Sequence, residues 1–295
     1  MSTAGLTSAW KQGIRVGRHF VTTRGVEVGA LQASPLLGAY LGGISKAEIG
    51  PVVLLLLGSA ALTAHVFVFN DWADYERDRR VDRPANAAVG ALGITRTHIA
   101  VAAGALLILA MALLAFVGMA ALVVGAGIAL LSFLYSTSAY LGKRMPIAAS
   151  LNHVAGGALH FLLGYTATHT LDLRGIALGL FFALVFAAGH LNQEVRDYEF
   201  DQANGIRTSA VVFGRGPAFF ASCVLFTAAY VTLATLAWFA LVPKTLFFVA
   251  VAAWLIQGIW SVRASRTGLN RETALWMQRR YRAMFAMVGL AILVV

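Results

Sequence analysis

The chain has 295 residues, 59% apolar and only 12% charged, with a mean hydropathy of +0.75. Soluble domains carry about a quarter charged residues, so this balance excludes an ordinary globular protein and indicates a membrane protein. The net charge of +10 is spread over the loops in a pattern that orients membrane segments, not in a patch for nucleic acid.

In chain order, the first 17 residues hold Trp10, Lys11 and Arg15 and no apolar core, so no cleavable signal peptide is expected. Nine apolar segments follow, near residues 27–44, 50–70, 97–117, 119–139, 147–169, 175–194, 218–241, 245–264 and 280–295. Helices of this length cross about 30 Å of hydrocarbon. The first segment is interrupted by Gln32, Ser34 and Pro35, and the last runs into the C-terminus. Nothing alternates with period two as a membrane barrel would. The expected fold is therefore an all-α membrane bundle of nine transmembrane helices. It forms a single domain over 1–295, with 1–26 as a cytoplasmic N-terminal segment. The single cysteine, Cys223, lies in an apolar run and can form no internal disulfide.

Positive charge tests the count. The N-terminus and the loops after segments 2, 4, 6 and 8 hold 20 of the 23 Lys and Arg residues, leaving only Lys46, Arg174 and Lys244 elsewhere. Nine crossings put these rich loops on one side. The positive-inside rule then makes the N-terminus cytoplasmic and the C-terminus external.

Nine of the thirteen carboxylates fall in two stretches on that same side. The first contains Asn70, Asp71, Asp74, Glu76, Arg77 and Asp78, with Asp82 behind it. The second contains Asn192, Glu194, Arg196, Asp197, Glu199 and Asp201. Both spell Asp-Tyr-Glu-x-Asp. If the second segment stays helical past Asn70, residues Asn70, Asp74 and Asp78 drift only about 40° per step, and Asp71 shares their face. Glu194, Asp197 and Asp201 repeat the pattern at i, i+3 and i+7. Like charges so spaced repel on a bare helix, and a bound cation reverses that sign. Mg²⁺ suits hard oxygen ligands and bridges carboxylates to substrate phosphates, so all seven residues are candidate metal ligands. A solvated loop of mixed charge is the bland alternative for either stretch alone.

The interleaved bases Arg77, Arg79, Arg80, Arg83, Arg196 and Arg207 suit acid pairing or phosphate clamping. Between the acidic stretches, Tyr135, Ser136, Tyr140, Lys143 and Arg144 occupy the loop after segment 4. Interfacial aromatics with positive-inside charge explain that loop blandly. Beside two metal clusters, Lys143 and Arg144 become candidates to neutralise a leaving pyrophosphate. His65, His190, Asn152 and His153 most simply bond within the bundle. Gly156, Gly157 and Gly164 suit either a cavity or close helix contacts, and Phe181, Trp254 and Trp260 suit packing.

Taken together, these residues resemble the UbiA-type intramembrane prenyltransferase superfamily. The resemblance rests on Asn70-Asp71-x-x-Asp74-x-x-x-Asp78, on Asp197-x-x-x-Asp201 followed by Gly205 and Thr208, and on Tyr140-x-x-Lys143, with Tyr135-Ser136 also familiar. It implies a central cavity walled by helices and capped by cytoplasmic loops. There Mg²⁺ holds a prenyl diphosphate, ionisation gives an allylic cation, and an aromatic or lipid-like acceptor is prenylated as pyrophosphate leaves. In that scheme Asp74, Asp78, Asp197, Asp201 and Lys143 are catalytic. Arg77, Arg83, Tyr135, Tyr140, Lys143, Arg144, Asn192, Arg196 and Arg207 contact substrate. The Arg-Pro-x-Pro-x-Gly phrase of many members survives only in part in Arg83-Pro84-Ala85-Asn86-Ala87-Ala88-Val89-Gly90, which leaves the acceptor open. The second motif leans towards the naphthoate and archaeal lipid branches.

Three alternatives stand beside this reading. A terpene cyclase on the same scaffold would need the prenyl diphosphate alone. An alcohol phosphotransferase would need an Asp-Gly-x-x-Ala-Arg opening, which neither stretch has. A transporter would place its acids near the midplane rather than at one face.

Overall fold

The computed structural model describes residues 17–18, 20–22, 24–45, 49–78 and 93–294, with the backbone path alone for 77 and 78. Every regular element among them is helical. After a helical stretch at 24–31 come α1 (Ala33–Gly43), α2 (Ile49–Asp78), α3 (Arg96–Val117), α4 (Met119–Thr137) and α5 (Pro146–Thr168). Then follow α6 (Leu173–Ala203), α7 (Ser209–Phe213), α8 (Arg215–Trp238), α9 (Leu246–Thr267) and α10 (Arg271–Val294). Seven of these, α2 to α6 with α8 and α9, are long and apolar enough to cross a bilayer.

Local chemistry sets several boundaries. Thr95 and His98 form a reciprocal capping box at the start of α3. Pro146 opens α5, where its missing N–H costs nothing. The Asp172 carboxylate accepts the Gly175 N–H at 2.7 Å to start α6. Pro35 cannot donate to a carbonyl one turn back, and the helix before it ends in a turn at Gln32, whose N–H reaches Gly29 O at 3.1 Å. The expected first segment is therefore two helical pieces.

The last helix begins nine residues before the expected position 280. Asn270 accepts the Thr273 N–H at 2.9 Å and starts it there. Its first turns bury Ala274, Met277, Gln278 and Tyr281 on one face and leave Arg271 and Arg279 exposed. That arginine-bearing amphipathic pattern hides a helix from a hydropathy reading.

The described residues form three apolar clusters, the smallest of them around Val195, Phe219 and Met277 where α6 to α10 meet. Of the two larger ones, one joins α1, α5, α6, α8, α9 and α10 around Phe161, Tyr165, Phe181, Phe226 and Tyr230; the other joins α1 to α5 around Leu55, Leu62, Leu114 and Leu163. Phe161 and Phe182 stack at 4.6 Å between ring centroids, so α5 and α6 pack tightly. Helix association in hydrocarbon rests on such close packing rather than on water exclusion, and small residues permit it. A Cβ on Gly164 would lie 1.8 Å from Pro35 O, and one on Gly157 would lie 2.8 Å from Phe182 O. Both glycines therefore serve helix contact, whereas Gly156 meets nothing within 4 Å. Ile108, Phe116, Phe220, Trp238, Phe248 and Ile259 point outward, where a bilayer would solvate them.

Contacts sort the loops into two ends. At one, Arg24 reaches Asp71, Lys143 reaches Asn70, Ser209 reaches Pro146 O, and Arg196 reaches Gln278. At the other, Thr168 bonds Ala39 O, Arg174 bonds Leu241 O, and Tyr40 bonds Leu293 O. Both acidic stretches lie at the first end.

Candidate active site

Helix α2 continues unbroken through the first acidic stretch to Asp78, as the four-residue spacing requires. Asn70 Oδ1 accepts the Lys143 ammonium at 2.7 Å and the Ser136 hydroxyl at 3.5 Å. Asp74, one turn on, is buried and holds the same ammonium through Oδ2. Asp71 turns to the side, where its Oδ1 lies 3.4 Å from Arg24 Nη2. The side chains of Arg77 and Asp78, and all of Arg79, Arg80, Asp82 and Arg83 to Gly90, lie outside the described residues.

Lys143 is positioned by a tight turn between α4 and α5. Its backbone N–H donates to Tyr135 O at 3.0 Å. A Cβ on the preceding Gly142 would sit 2.3 Å from Ser138 O and 2.8 Å from Tyr135 O, so the chain closes this tightly only around glycine. Tyr140, in the same turn, is 82% exposed, and Arg144 is exposed as well. Of the expected Tyr-x-x-Lys pair, the lysine alone reaches the acids.

Helix α6 likewise carries the second stretch without a break, to Ala203. It ends in a Schellman arrangement: Ile206 N–H bonds Asp201 O at 2.8 Å and Gly205 N–H bonds Gln202 O at 3.2 Å, with Gly205 at φ +65°. Thr208 then caps α7 by accepting the Val211 N–H. Gly205 and Thr208 thus shape the chain beyond Asp201.

The side chains of this stretch divide their partners. Arg196 grips the Asp197 carboxylate with Nε and Nη2, and donates from Nη1 to Gln278 on α10 at 2.8 Å. Asn192 Nδ2 donates to Ala274 O at 3.3 Å. Glu194 faces inward: Oε2 accepts the Ala210 N–H of α7 at 3.2 Å, and Oε1 lies 3.0 Å from His190 Nε2. That second approach is close without hydrogen-bond alignment. Asp201 is buried and has a partner; Arg207 is exposed.

A ladder of rings runs from α4 through α5 to α6. Tyr135 on α4 meets the edge of His153 on α5 at 5.3 Å, and His153 stacks on His190 of α6 at 3.7 Å. His153 Nδ1 donates to Ala149 O at 2.9 Å, which fixes its tautomer. Contact therefore runs from Asn70 and Asp74 through Lys143 and Tyr135 to His153, His190 and Glu194. The sequence flagged both histidines singly; their pairing across two helices has no signature in either helix alone. His65 takes the bland role, with Nδ1 donating to Ala103 O at 2.9 Å. Deeper in the bundle, His160 Nε2 lies 3.2 Å from the Ser59 hydroxyl, a contact the sequence did not suggest.

Among the described residues, no group of three or more His, Cys, Asp or Glu side chains is gathered to hold a metal. The oxygens of Asn70 and Asp74 nevertheless pass a test of fit. They converge on one cation, the Lys143 ammonium, and are the hard donors Mg²⁺ prefers.

Residues 33–287 match the UbiA prenyltransferase family. The chain belongs to that family. Solved structures agree in fold. A UbiA homologue from Archaeoglobus fulgidus bound to GPP and Mg²⁺ superposes with a TM-score of 0.72 at 19% identity, covering 94% of this chain and 99% of its own. A structure described as digeranylgeranylglyceryl phosphate synthase in membranes gives 0.73 at 18% identity, covering 95% and 98%. The apo UbiA homologue from Aeropyrum pernix K1 gives 0.66 at 16% identity, covering 91% and 98%. No curated protein matches the sequence significantly. Family membership and seven long apolar helices make the chain an integral, multi-pass membrane protein.

Proposed function

We propose that this UbiA family member transfers an isoprenyl group from a prenyl diphosphate to an aromatic or lipid-like nucleophile, releasing pyrophosphate. One observation carries the reading: Asn70, Asp74 and Lys143 converge at the end of the bundle that also holds Asp197 and Asp201, and a chain of contacts, through the backbone bond of Lys143 to Tyr135 and the rings of Tyr135, His153 and His190, runs from there to Glu194. The A. fulgidus homologue was captured with GPP and Mg²⁺ and again with DMAPP and Mg²⁺, which supports the same donor class here.

In this reading Asn70, Asp71, Asp74 and Asp78 hold Mg²⁺ from α2, and Asp197 and Asp201 hold it from α6. Glu194, a ligand candidate by spacing, serves instead as the inward support of His190 and α7. Bound Mg²⁺ supplies Lewis-acid stabilisation of negative charge on the departing diphosphate. Lys143 would add a cation at the same place, and Arg77, Arg83, Arg144, Arg196 and Arg207 are the guanidinium groups assigned to phosphate oxygens. Asn192, Tyr135 and Tyr140 complete the proposed substrate contacts. The bond between C1 and the diphosphate oxygen breaks, the acceptor attacks the allylic cation, and the acceptor loses a proton. The apolar bundle encloses the tail and keeps water from quenching the cation.

The reading includes nine crossings around a central cavity in one domain, with the active-site loops and N-terminus cytoplasmic and the C-terminus opposite. Support comes from the contacts of Arg24 and Gln278 at the acidic end and of Ala39 and Leu293 at the other. Helices 24–43 and α10 run from one end to the other.

The test is a mass-spectrometric screen of purified protein with Mg²⁺, dimethylallyl, geranyl, farnesyl and geranylgeranyl diphosphates, and a panel of acceptors. Metal-dependent pyrophosphate release with a prenylated acceptor is expected. A cyclised hydrocarbon from donor alone would assign a terpene cyclase instead, and no release with any donor would overturn the reading.

A further inference from the structure

Buried carboxylates need a counter-charge, and Asp74 has one from a distant part of the chain. Its side chain is 8% exposed, and the Lys143 side chain that meets it is 13% exposed. Removing one partner of such a pair leaves an uncompensated buried charge, which is strongly destabilising. Asn70 adds a neutral oxygen at 2.7 Å, so the ammonium sits among oxygens from successive turns of α2. These are the oxygens assigned above to Mg²⁺.

We propose that Lys143 is a resident substitute cation. It neutralises the Asn70–Asp74 position in the metal-free enzyme, and metal loading displaces it towards the diphosphate. This rests on the proposed metal role of Asn70 and Asp74. The backbone and the arm of Lys143 behave differently. The Gly142 turn and the bond to Tyr135 O fix its Cα, while four methylenes let the ammonium swing without moving the loop. An ammonium and a divalent ion repel and compete for the same lone pairs, so one leaves as the other enters. A diphosphate arriving with the metal gives the freed ammonium a new anionic partner. Metal and diphosphate then favour each other's binding, a coupling that is necessarily reciprocal.

The experiment uses the full chain in detergent without prenyl substrate and follows Mn²⁺ binding by electron paramagnetic resonance. Lys143→Met is expected to bind Mn²⁺ about tenfold more tightly or better than wild type, because a competing unit charge is gone. Inorganic pyrophosphate is expected to tighten Mn²⁺ binding more in wild type than in the variant. Should Lys143→Met fold poorly, wild type alone gives the answer: Mg²⁺, but not sodium chloride of equal ionic strength, should raise acylation of Lys143 in peptide mapping. Unchanged or weaker Mn²⁺ binding in a folded variant overturns the proposal, as does Mg²⁺ leaving Lys143 labelling unchanged. These outcomes separate from failure of the functional reading, which is marked by wild type releasing no pyrophosphate from any prenyl donor. Wild type that binds no divalent metal overturns both.

Discussion

His153 of α5 and His190 of α6 stack face to face, with ring centroids 3.7 Å apart and 10° between their planes. This contact joins the half of the site on α2, α4 and α5 to the half on α6 and α7. His190→Phe keeps a ring in the stack but loses the polar approach to Glu194; His190→Ala loses both. The alanine variant should be less stable than the phenylalanine variant by about 0.5–1.5 kcal/mol, the worth of an aromatic pair. Thermal unfolding in detergent checks the order, and equal stability would remove the stack from the account.

Glu194 accepts the Ala210 N–H and faces His190 from a buried position. Glu194→Ala leaves that N–H without its partner and should cost about 1–3 kcal/mol. Glu194→Gln keeps a carbonyl oxygen for Ala210 and should cost less. Were Glu194 chiefly a metal ligand, both variants would weaken Mn²⁺ binding while unfolding like wild type.

A methyl group on Gly142 would run into Ser138 O and Tyr135 O. Gly142→Ala should therefore open the turn, cost about 1–3 kcal/mol as overpacking does, and release Lys143 from the acids. Peptide mapping after lysine acylation should show Lys143 more reactive in this variant even without Mg²⁺.

Asp74→Ala and Asp197→Ala should each lower pyrophosphate release by about 10²–10³-fold or more, the scale seen when one stabilising group for developing charge is removed. Initial rates with the best prenyl donor measure the loss. Full activity in both folded variants would remove the two acids from the chemistry.

The Gly175 N–H holds the Asp172 carboxyl below its ordinary value, and the Tyr165 hydroxyl adds to the effect at 3.0 Å. A lowered folded-state pKa contributes stability above the unfolded value, and that contribution disappears as pH falls through the folded one. Unfolding temperatures should therefore drop on acidification below the ordinary aspartate range. Asp172→Asn, which keeps a capping oxygen without the titration, should flatten that part of the profile.

Much of this architecture is written along single segments. Apolar length marks α2 to α6, α8 and α9, and the spacing of Asn70 to Asp78 anticipates a helix that outlasts its apolar part. The turn glycine Gly205 and the cap Thr208 are also local signals, each legible from its neighbours. Contacts between distant segments are different. Nothing near Lys143 announces Asn70 as its partner, and nothing near His153 announces His190, because each pairing is set by how helices pack. The early start of α10 escaped notice because its arginines lower the average hydropathy while its buried face stays apolar. The outward turn of Tyr140 depends on the loop conformation around Gly142, which composition does not encode.

Helix α6 runs 31 residues without interruption, about 46 Å at 1.5 Å per residue, against about 30 Å of hydrocarbon. With the proposed orientation, the surplus would carry its final turns, with Asp197 and Asp201, to the level of the headgroups. An amphiphile lying in one leaflet presents its ionic head at that height while its tail remains in oil. On the proposed function, such a molecule would reach these carboxylates by lateral diffusion, without crossing into bulk water.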